Sequence, residues 1–294
     1  MASGKILKGI GGFYYVLDEQ RRIHECKARG RFRKDGVTPL PGDDVAFVLE
    51  GESYGFIEEI LPRRNELVRP RVANIDMAAI VASADKPLID YMLVDKLLIS
   101  IVKAQAEPLL VINKCDTAHD DMIEEIRAQY QDACSTVLVS AATGEGLDTL
   151  KERLRGKCTC FAGQSAAGKS SLLNALFDGL SLETGGLAKK TDRGKHTTRH
   201  AELLLLSDFS GTVVDTPGFS FFDGADIAPE ALYTYYDDIA PYADTCRFTS
   251  CVHAGEPGCG VKQAVEKGEI NADRYQRYVA LLKELQERKA RRYD

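Results

Sequence analysis

The sequence predicts a multidomain α/β protein in three parts: a small all-β unit, a central strand and helix alternation around a mainly parallel sheet, and a mostly helical C-terminal unit. Three observations carry that prediction. Short apolar runs punctuated by Gly, Pro and polar pairs occupy residues 1–70, and apolar runs alternating with helical patterns occupy 71–225. Three of the eight cysteines crowd into 246–259, within a last unit of 226–294 that closes on an amphipathic pattern at 273–292. With 294 residues, 44% of them hydrophobic, each part has the material for its own core.

In the first unit, residues 6–17, 23–28, 45–50 and 54–60 are strand candidates, punctuated by Gly11-Gly12, Glu19-Gln20, Pro41-Gly42-Asp43 and Glu52-Ser53. Gly11-Gly12 divides the first run, so the pattern is that of a short-stranded, OB-like β-barrel. Arg21, Arg22, Lys27, Arg29, Arg31, Arg33 and Lys34 stand against a single acid, Glu25, with Phe32 among them and Phe13, Tyr14 and Tyr15 nearby. Basic residues interleaved with aromatics are the footprint of RNA binding. A solvated hairpin whose aromatics belong to the core is the alternative that the residues leave open. A charged connector at 63–71, between Pro62 and Pro70, leads into the central unit.

There the apolar runs 75–82, 109–112, 137–139, 158–162 and 212–214 alternate with helical patterns at 91–104, 120–130, 146–154 and 171–176. After run 158–162 comes Gly163-Gln164-Ser165-Ala166-Ala167-Gly168-Lys169-Ser170, followed by Ser171 and a helix. The spacing G-x-x-x-x-G-K-S is that of a P-loop: backbone N–H groups and the helix N-terminus surround a polyphosphate, Lys169 reaches the β- and γ-phosphates, and Ser170 offers its hydroxyl to Mg²⁺.

Which base accompanies the phosphates is read from a second loop. Run 109–112 leads into Asn113-Lys114-Cys115-Asp116, an N-K-x-D element. The Asp116 carboxylate suits the N1–H and N2–H₂ donors of guanine, whereas adenine presents an acceptor there, so GTP is expected over ATP. Ser140-Ala141-Ala142 resembles the S-A-x loop whose backbone N–H meets the guanine O6, and Asp215-Thr216-Pro217-Gly218 resembles D-x-x-G, with Asp215 in the Mg²⁺ shell and the Gly218 N–H facing the γ-phosphate. The order of these elements is base reader, S-A-x, P-loop, D-x-x-G, which marks a circularly permuted P-loop GTPase domain. A parallel sheet tolerates the permutation because it fixes each loop at one edge whatever the order of strands in the chain.

Between the P-loop helix and D-x-x-G lies a polar segment, 181–200, ending Arg193-Gly194-Lys195-His196-Thr197-Thr198-Arg199-His200. It takes the place of switch I and is expected to order only with GTP. Thr198 is the favoured Mg²⁺ ligand, beside Ser170 and Asp215, with Thr197 as the alternative. Phe219 follows D-x-x-G where many GTPases carry a water-orienting Gln, so slow intrinsic hydrolysis is expected. His196 is a candidate to orient water when the segment closes, or else to contact phosphate or RNA; with Lys169 and Thr198 it completes the candidate catalytic set.

In the last unit Cys246-x4-Cys251-x-His253-x5-Cys259 offers three thiolates and one imidazole, the donor set of a closed, structural Zn²⁺ site. The terminal pattern places Tyr275, Tyr278, Leu281, Leu282 and Leu285 on one side and leaves Arg277, Lys283, Arg288, Lys289, Arg291 and Arg292 available to phosphate or simply solvated. A net charge of −6 argues against non-specific nucleic-acid binding and confines any such contact to local patches. No run approaches membrane-spanning length, and the start MASGKILKGIGG lacks the form of a secretory signal, so a soluble, cytoplasmic protein is expected.

The permuted motifs, the OB-like unit and C-x4-C-x-H-x5-C together resemble the RsgA (YjeQ-type) family of small ribosomal subunit biogenesis GTPases, and GQSxxGKSSLLNA, RGKHTTRH and DTPGFS match that family's pattern. The resemblance implies a monomeric GTPase that cycles between GTP and GDP, binds the 30S subunit late in its maturation, and touches 16S rRNA through the OB-like and zinc units. It also implies strong stimulation of hydrolysis by the subunit. A GTP-binding RNA scaffold with little turnover, and a permuted GTPase acting on the large subunit, are the alternatives. One departure stands out: Ala166 occupies a P-loop position where the family usually has Gly, which costs about 1 kcal/mol if that position needs φ > 0.

Overall fold

The computed structural model describes residues 1–34, 36–51, 54–67, 71–177, 201–205, 211–215 and 227–291. The N-terminal unit comprises strands β1 (Ala2–Ile10), β2 (Phe13–Asp18) and β3 (Ile23–Ala28), a one-turn helix α1 (Arg31–Lys34), and strands β4 (Asp44–Leu49) and β5 (Tyr54–Ile60). They close into a barrel in the order β1-β2-β3-β5-β4, with β3 and β5 parallel and the other pairs antiparallel. Alternation along β1 divides its apolar residues between two cores: Ile6 points into the barrel with Val16, Cys26, Val45, Phe47 and Ile57, while Leu7 points out onto the central unit.

Two features of the basic segment differ from the RNA-face expectation. Phe32 is buried in the barrel core, so its ring is unavailable for base stacking. Arg22 is paired with Asp18, and Arg29 with Glu58 at 2.6 Å. Cations stand over rings at Lys27 on Phe13, Lys8 on Tyr15 and Arg29 on Phe56, 4.5–5.3 Å from the ring centroids, although Lys8 and Arg29 also pair with Glu202 and Glu58.

A two-stranded ribbon, β6 (Glu66–Leu67) with β7 (Val72–Ala73), bridges into the central unit. That unit runs β8 (Met77–Ser83), α2 (Tyr91–Lys103), β9 (Glu107–Asn113), α3 (Asp120–Tyr130), β10 (Ser135–Leu138), α4 (Leu147–Leu154), β11 (Cys158–Gly163), α5 (Lys169–Leu176), β12 (Glu202–Leu205) and β13 (Thr212–Asp215). The six strands lie in the order β10-β9-β8-β11-β13-β12, all parallel except β12, which pairs antiparallel with β13. Every residue of the central strand β8 is buried, because helices cover both sheet faces. Ala78, Ile80 and Ala82 meet α2 and α3, while Met77, Ala79 and Val81 meet α4 and α5.

Two short 3₁₀ helices (Pro229–Tyr235 and Ala240–Thr245), α6 (Gly260–Glu266) and α7 (Ala272–Ala290) form the C-terminal unit. Asn271 caps α7 by accepting from the N–H groups of Asp273 and Arg274. Tyr275, Tyr278, Leu281, Leu282 and Leu285 are all buried, as the amphipathic pattern predicts, and they share their core with Ile99 of α2. Arg277 departs from the expected solvated face: it is drawn into an ion pair with Asp95 of α2. Lys289 pairs with Glu230, and Arg288 with Glu284. Among the described residues no helix is long and apolar enough to cross a membrane.

Candidate nucleotide site and metal centre

From β8 the chain winds to β9 and β10 on one side of the sheet and then returns to β11 on the other side, so the strand order reverses between β8 and β11. In an open α/β sheet the crevice outside the carboxyl ends of the strands at such a reversal is where ligands bind. Residues 163–170 leave β11 at that place. Residues 113–116 leave β9 and 140–142 follow β10 at the same edge, and β13, beside β11, ends there at Asp215. Thus three loops scattered through the sequence, and the end of β13, converge. His196, Thr198 and Gly218 lie outside the described residues, as do Thr197 and Phe219.

Close backbone approach shapes the phosphate loop. At Gly163 φ is +125°, and a Cβ would fall 2.2 Å from the Val81 carbonyl oxygen; at Gly168 φ is +96°, and a Cβ would fall 2.3 Å from Nδ2 of Asn113. Only glycine fits either place. Ala166 also has positive φ, +62°, so the condition under which its methyl group is costly is met. Ser165 and Ala166 are exposed at the crest of the loop, Ala167 is buried beneath it, Ser170 sits half-buried in the first turn of α5, and Ser171 is exposed. Lys169 Nζ donates to the carbonyl oxygens of Gly163 and Gln164, both at 2.7 Å. Burial pushes the Lys169 pKa below its ordinary value.

Asn113 is a brace between loops. Buried at the end of β9, it donates from Nδ2 to the Ala167 carbonyl at 2.9 Å and accepts at Oδ1 from the Ala141 N–H at 3.2 Å. Lys114, at φ +65°, reaches back from its Nζ to the carbonyls of Ala166, at 3.1 Å, and Lys86. Asp116, by contrast, is exposed, with its carboxylate open to a base. Ser140 is buried and serves its own turn, its Oγ accepting from the N–H groups of Ala142 and Thr143. Gln164 contributes a contact that the motif does not announce: its Oε1 accepts from the Asp90 N–H at the start of α2, at 3.1 Å.

In the C-terminal unit Cys246, Cys251, His253 and Cys259 bring their ligand atoms within 4.8 Å of one another. Cys246 Sγ lies 3.9 Å from Cys259 Sγ and 3.4 Å from His253 Nδ1, and Cys259 Sγ lies 3.7 Å from the same nitrogen. A tetrahedral Zn²⁺ with ordinary bond lengths sets sulfurs about 3.8 Å apart and sulfur and nitrogen about 3.6 Å apart. The sulfurs are too far apart for a disulfide. The N–H groups of Gly260 and Lys262 point at Cys246 and Cys259, as thiolate ligands require. The donor set therefore fits a structural zinc ion held through His253 Nδ1. Glu256, absent from the sequence reading, locks the intervening turn: burial would raise its pKa, but N–H groups of Val252, Gly255 and Ala254 hold it down at about 2.

Comparison with known proteins agrees with this architecture. The family described as RsgA GTPase matches residues 60–225, and that described as RsgA N-terminal domain matches residues 3–57. The small ribosomal subunit biogenesis GTPase RsgA of Ruminiclostridium cellulolyticum is 50% identical over 291 residues, covering 98% of this chain and 95% of its own. Its namesake in Caldanaerobacter subterraneus subsp. tengcongensis is 46% identical, covering 99% and 98%. Among solved structures, YjeQ from Thermotoga maritima superposes with a TM-score of 0.86 at 38% identity, covering 97% of this chain and 98% of its own. YloQ, described as a circularly permuted GTPase, superposes at 0.83 and 36% identity, covering 98% and 96%. With the permuted loop order, the five-stranded barrel and the Cys₃His cluster all in one chain, the protein belongs to the RsgA family of circularly permuted GTPases of ribosomal subunit biogenesis.

Proposed function

We propose that this protein binds the 30S subunit in the cytoplasm late in the subunit's maturation, and hydrolyses GTP to GDP and phosphate when the subunit stimulates it. The observation that supports the reading is that one chain joins the permuted guanine-nucleotide loops to two units bearing cation and aromatic pairs: the barrel, and the Cys/His knuckle, where Arg247 lies over the exposed Phe248. The names of the relatives support the choice of small subunit over large.

In this reading Asp116 accepts from guanine N1–H and N2–H₂, the S-A-x loop supplies the N–H for O6, and residues 163–171 cradle the phosphates. Ser170, Thr198 and Asp215 would hold Mg²⁺, which would supply neutralisation of phosphate charge. Water attacks the γ-phosphorus in line; the bond to the β–γ bridging oxygen breaks, GDP takes the electron pair, and of the water's two protons one stays on the phosphate and the other is released to solvent. Lys169 and loop N–H groups stabilise the charge that develops, and His196 positions the water. Cys246, Cys251, His253 and Cys259 hold Zn²⁺, and contacts to 16S rRNA fall on the barrel and the knuckle.

The test is steady-state GTP hydrolysis by the protein alone, with 30S subunits and with 50S subunits at equal concentration. A large rise with 30S only is expected. Tight GTP binding without a rise on either particle would overturn the reading in favour of an RNA scaffold with little turnover.

A further inference from the structure

Two carboxylates and two guanidinium groups are buried where α2 meets the C-terminal unit. Arg274 is 2% exposed and Asp95 is fully buried. Arg274 donates from Nη1 to Asp95 Oδ1 and from Nε to Asp238 Oδ2 at 2.6 Å. Arg277 donates from Nε to Asp95 Oδ2 at 2.5 Å and from Nη1 to Gln129 of α3 at 2.8 Å. Such a network is a poor source of stability, since apolar residues of the same volume often serve as well. What it imposes is register: one carboxylate accepting from two arginines a helical turn apart admits a single height and rotation of α7 on α2.

The N-terminus of α2, little more than one turn before Asp95, rests on the phosphate loop. The Asp90 N–H donates to the Gln164 side chain at 3.1 Å, and Asp90 Oδ1 caps the helix at Leu93. The carbonyl of the same Gln164 accepts from Lys169 Nζ at 2.7 Å. A phosphate in the loop draws on that same ammonium, so phosphate and Gln164 compete for its protons. At the far end, α7 holds the knuckle by its backbone: Tyr275 Oη donates to the His253 carbonyl at 2.8 Å and Tyr278 Oη to the Val252 carbonyl at 2.7 Å.

We propose that α2 is a relay through which the state of the phosphate loop sets the position of the Cys/His unit, from Gln164 through Asp90 and Asp95 to Arg274 and Arg277. This rests on the guanine-nucleotide reading above. Only about 7.5 Å of helix separates Asp90 from Asp95, a length that moves as a rod when packed on a sheet.

The experiment follows amide hydrogen exchange across 246–290 in the zinc-loaded full-length protein, with saturating GDP and with a non-hydrolysable GTP analogue. In the wild type, α7 exchange rates differ between the two nucleotides by about fivefold or more. In the charge-balanced double variant Asp95→Asn with Arg277→Gln, that difference collapses. Arg277→Lys, which keeps the buried charge but lacks the planar fork, shows a reduced difference and decides the matter if the double variant does not fold. A difference that survives undiminished in a folded variant overturns the relay, as does its absence from the wild type. Failure of the nucleotide reading is a separate result, namely no saturable guanine-nucleotide binding by the wild type.

Discussion

At the scale of single residues, Ala166 is the clearest case of local chemistry at odds with local geometry. Its φ of +62° puts a Cβ in the left-handed region, and Ala166→Gly is expected to relieve about 1 kcal/mol, seen as a higher urea midpoint with nucleotide affinity kept or improved. Asn113 illustrates the converse, a residue whose motif advertises base recognition but whose side chain joins two loops. Asn113→Ala strands the Ala167 carbonyl and the Ala141 N–H and is expected to cost about 1–3 kcal/mol for each group left unsatisfied, measured by thermal unfolding. In the barrel, the His24 hydrogen bond, helped by Arg22 and against the push of burial, holds Asp18 at about 2, below its ordinary 3.8. A depressed carboxyl contributes stability that is complete above about pH 4 and is lost as pH falls towards 2. Thermal midpoints from pH 6 to 2 should show that decline, and Asp18→Asn should flatten it.

At the scale of elements, the long periodic segments were legible and the short ones were not. Helix α2 and strand β11 fall where apolar spacing puts them, because each must bury a full face. Strand β12 gives a weaker signal: its leucines make a short apolar run between polar segments, which fits strand or helix alike until it pairs with the edge of β13. Phe32 was open to two readings, a stacking ring among arginines or a core residue, and takes the second; α1, a single turn, is too short for periodicity to reveal the inward face. The Cys/His cluster, by contrast, was legible from residue type alone, although its spacing says nothing of Glu256 or of the tyrosines that tie it to α7. Removal of zinc by a strong chelator, or Cys251→Ser, is expected to unfold 246–259 and loosen α7 while the barrel stays intact, which amide exchange by segment would show. Retention of full protection at 246–259 after chelation would rule out the metal.

At the scale of the whole molecule, the barrel does not hang from a loose connector. Leu7 and Leu17 pack with Leu203 and Leu205 of β12, and Lys8 pairs with Glu202 at 2.7 Å. Strand β12 follows residues 181–200 directly, so the barrel, the proposed RNA-binding unit, grips the anchor of the segment expected to close over γ-phosphate. Both partners of the pair are partly exposed, so Lys8→Glu should weaken the docking by under about 1 kcal/mol. A larger effect is expected on subunit-stimulated turnover than on basal turnover, with recovery in the double reversal Lys8→Glu with Glu202→Lys; equal loss in both rates would exclude a coupling role for this pair.

The sequence by itself determined the family and the donor sets proposed for phosphate, guanine and zinc, because each set stands at short spacing, and such spacing survives in a linear reading. It also determined the three-part architecture, through the periods of its apolar residues. What only the tertiary structure decided were the contacts between parts: Arg274 and Arg277 with Asp95, Gln164 with Asp90, Lys8 with Glu202. Each joins residues 74 to 194 positions apart. No local pattern encodes such a pairing, since a charge on a helix reads the same whether it meets water or a partner until the chain has folded.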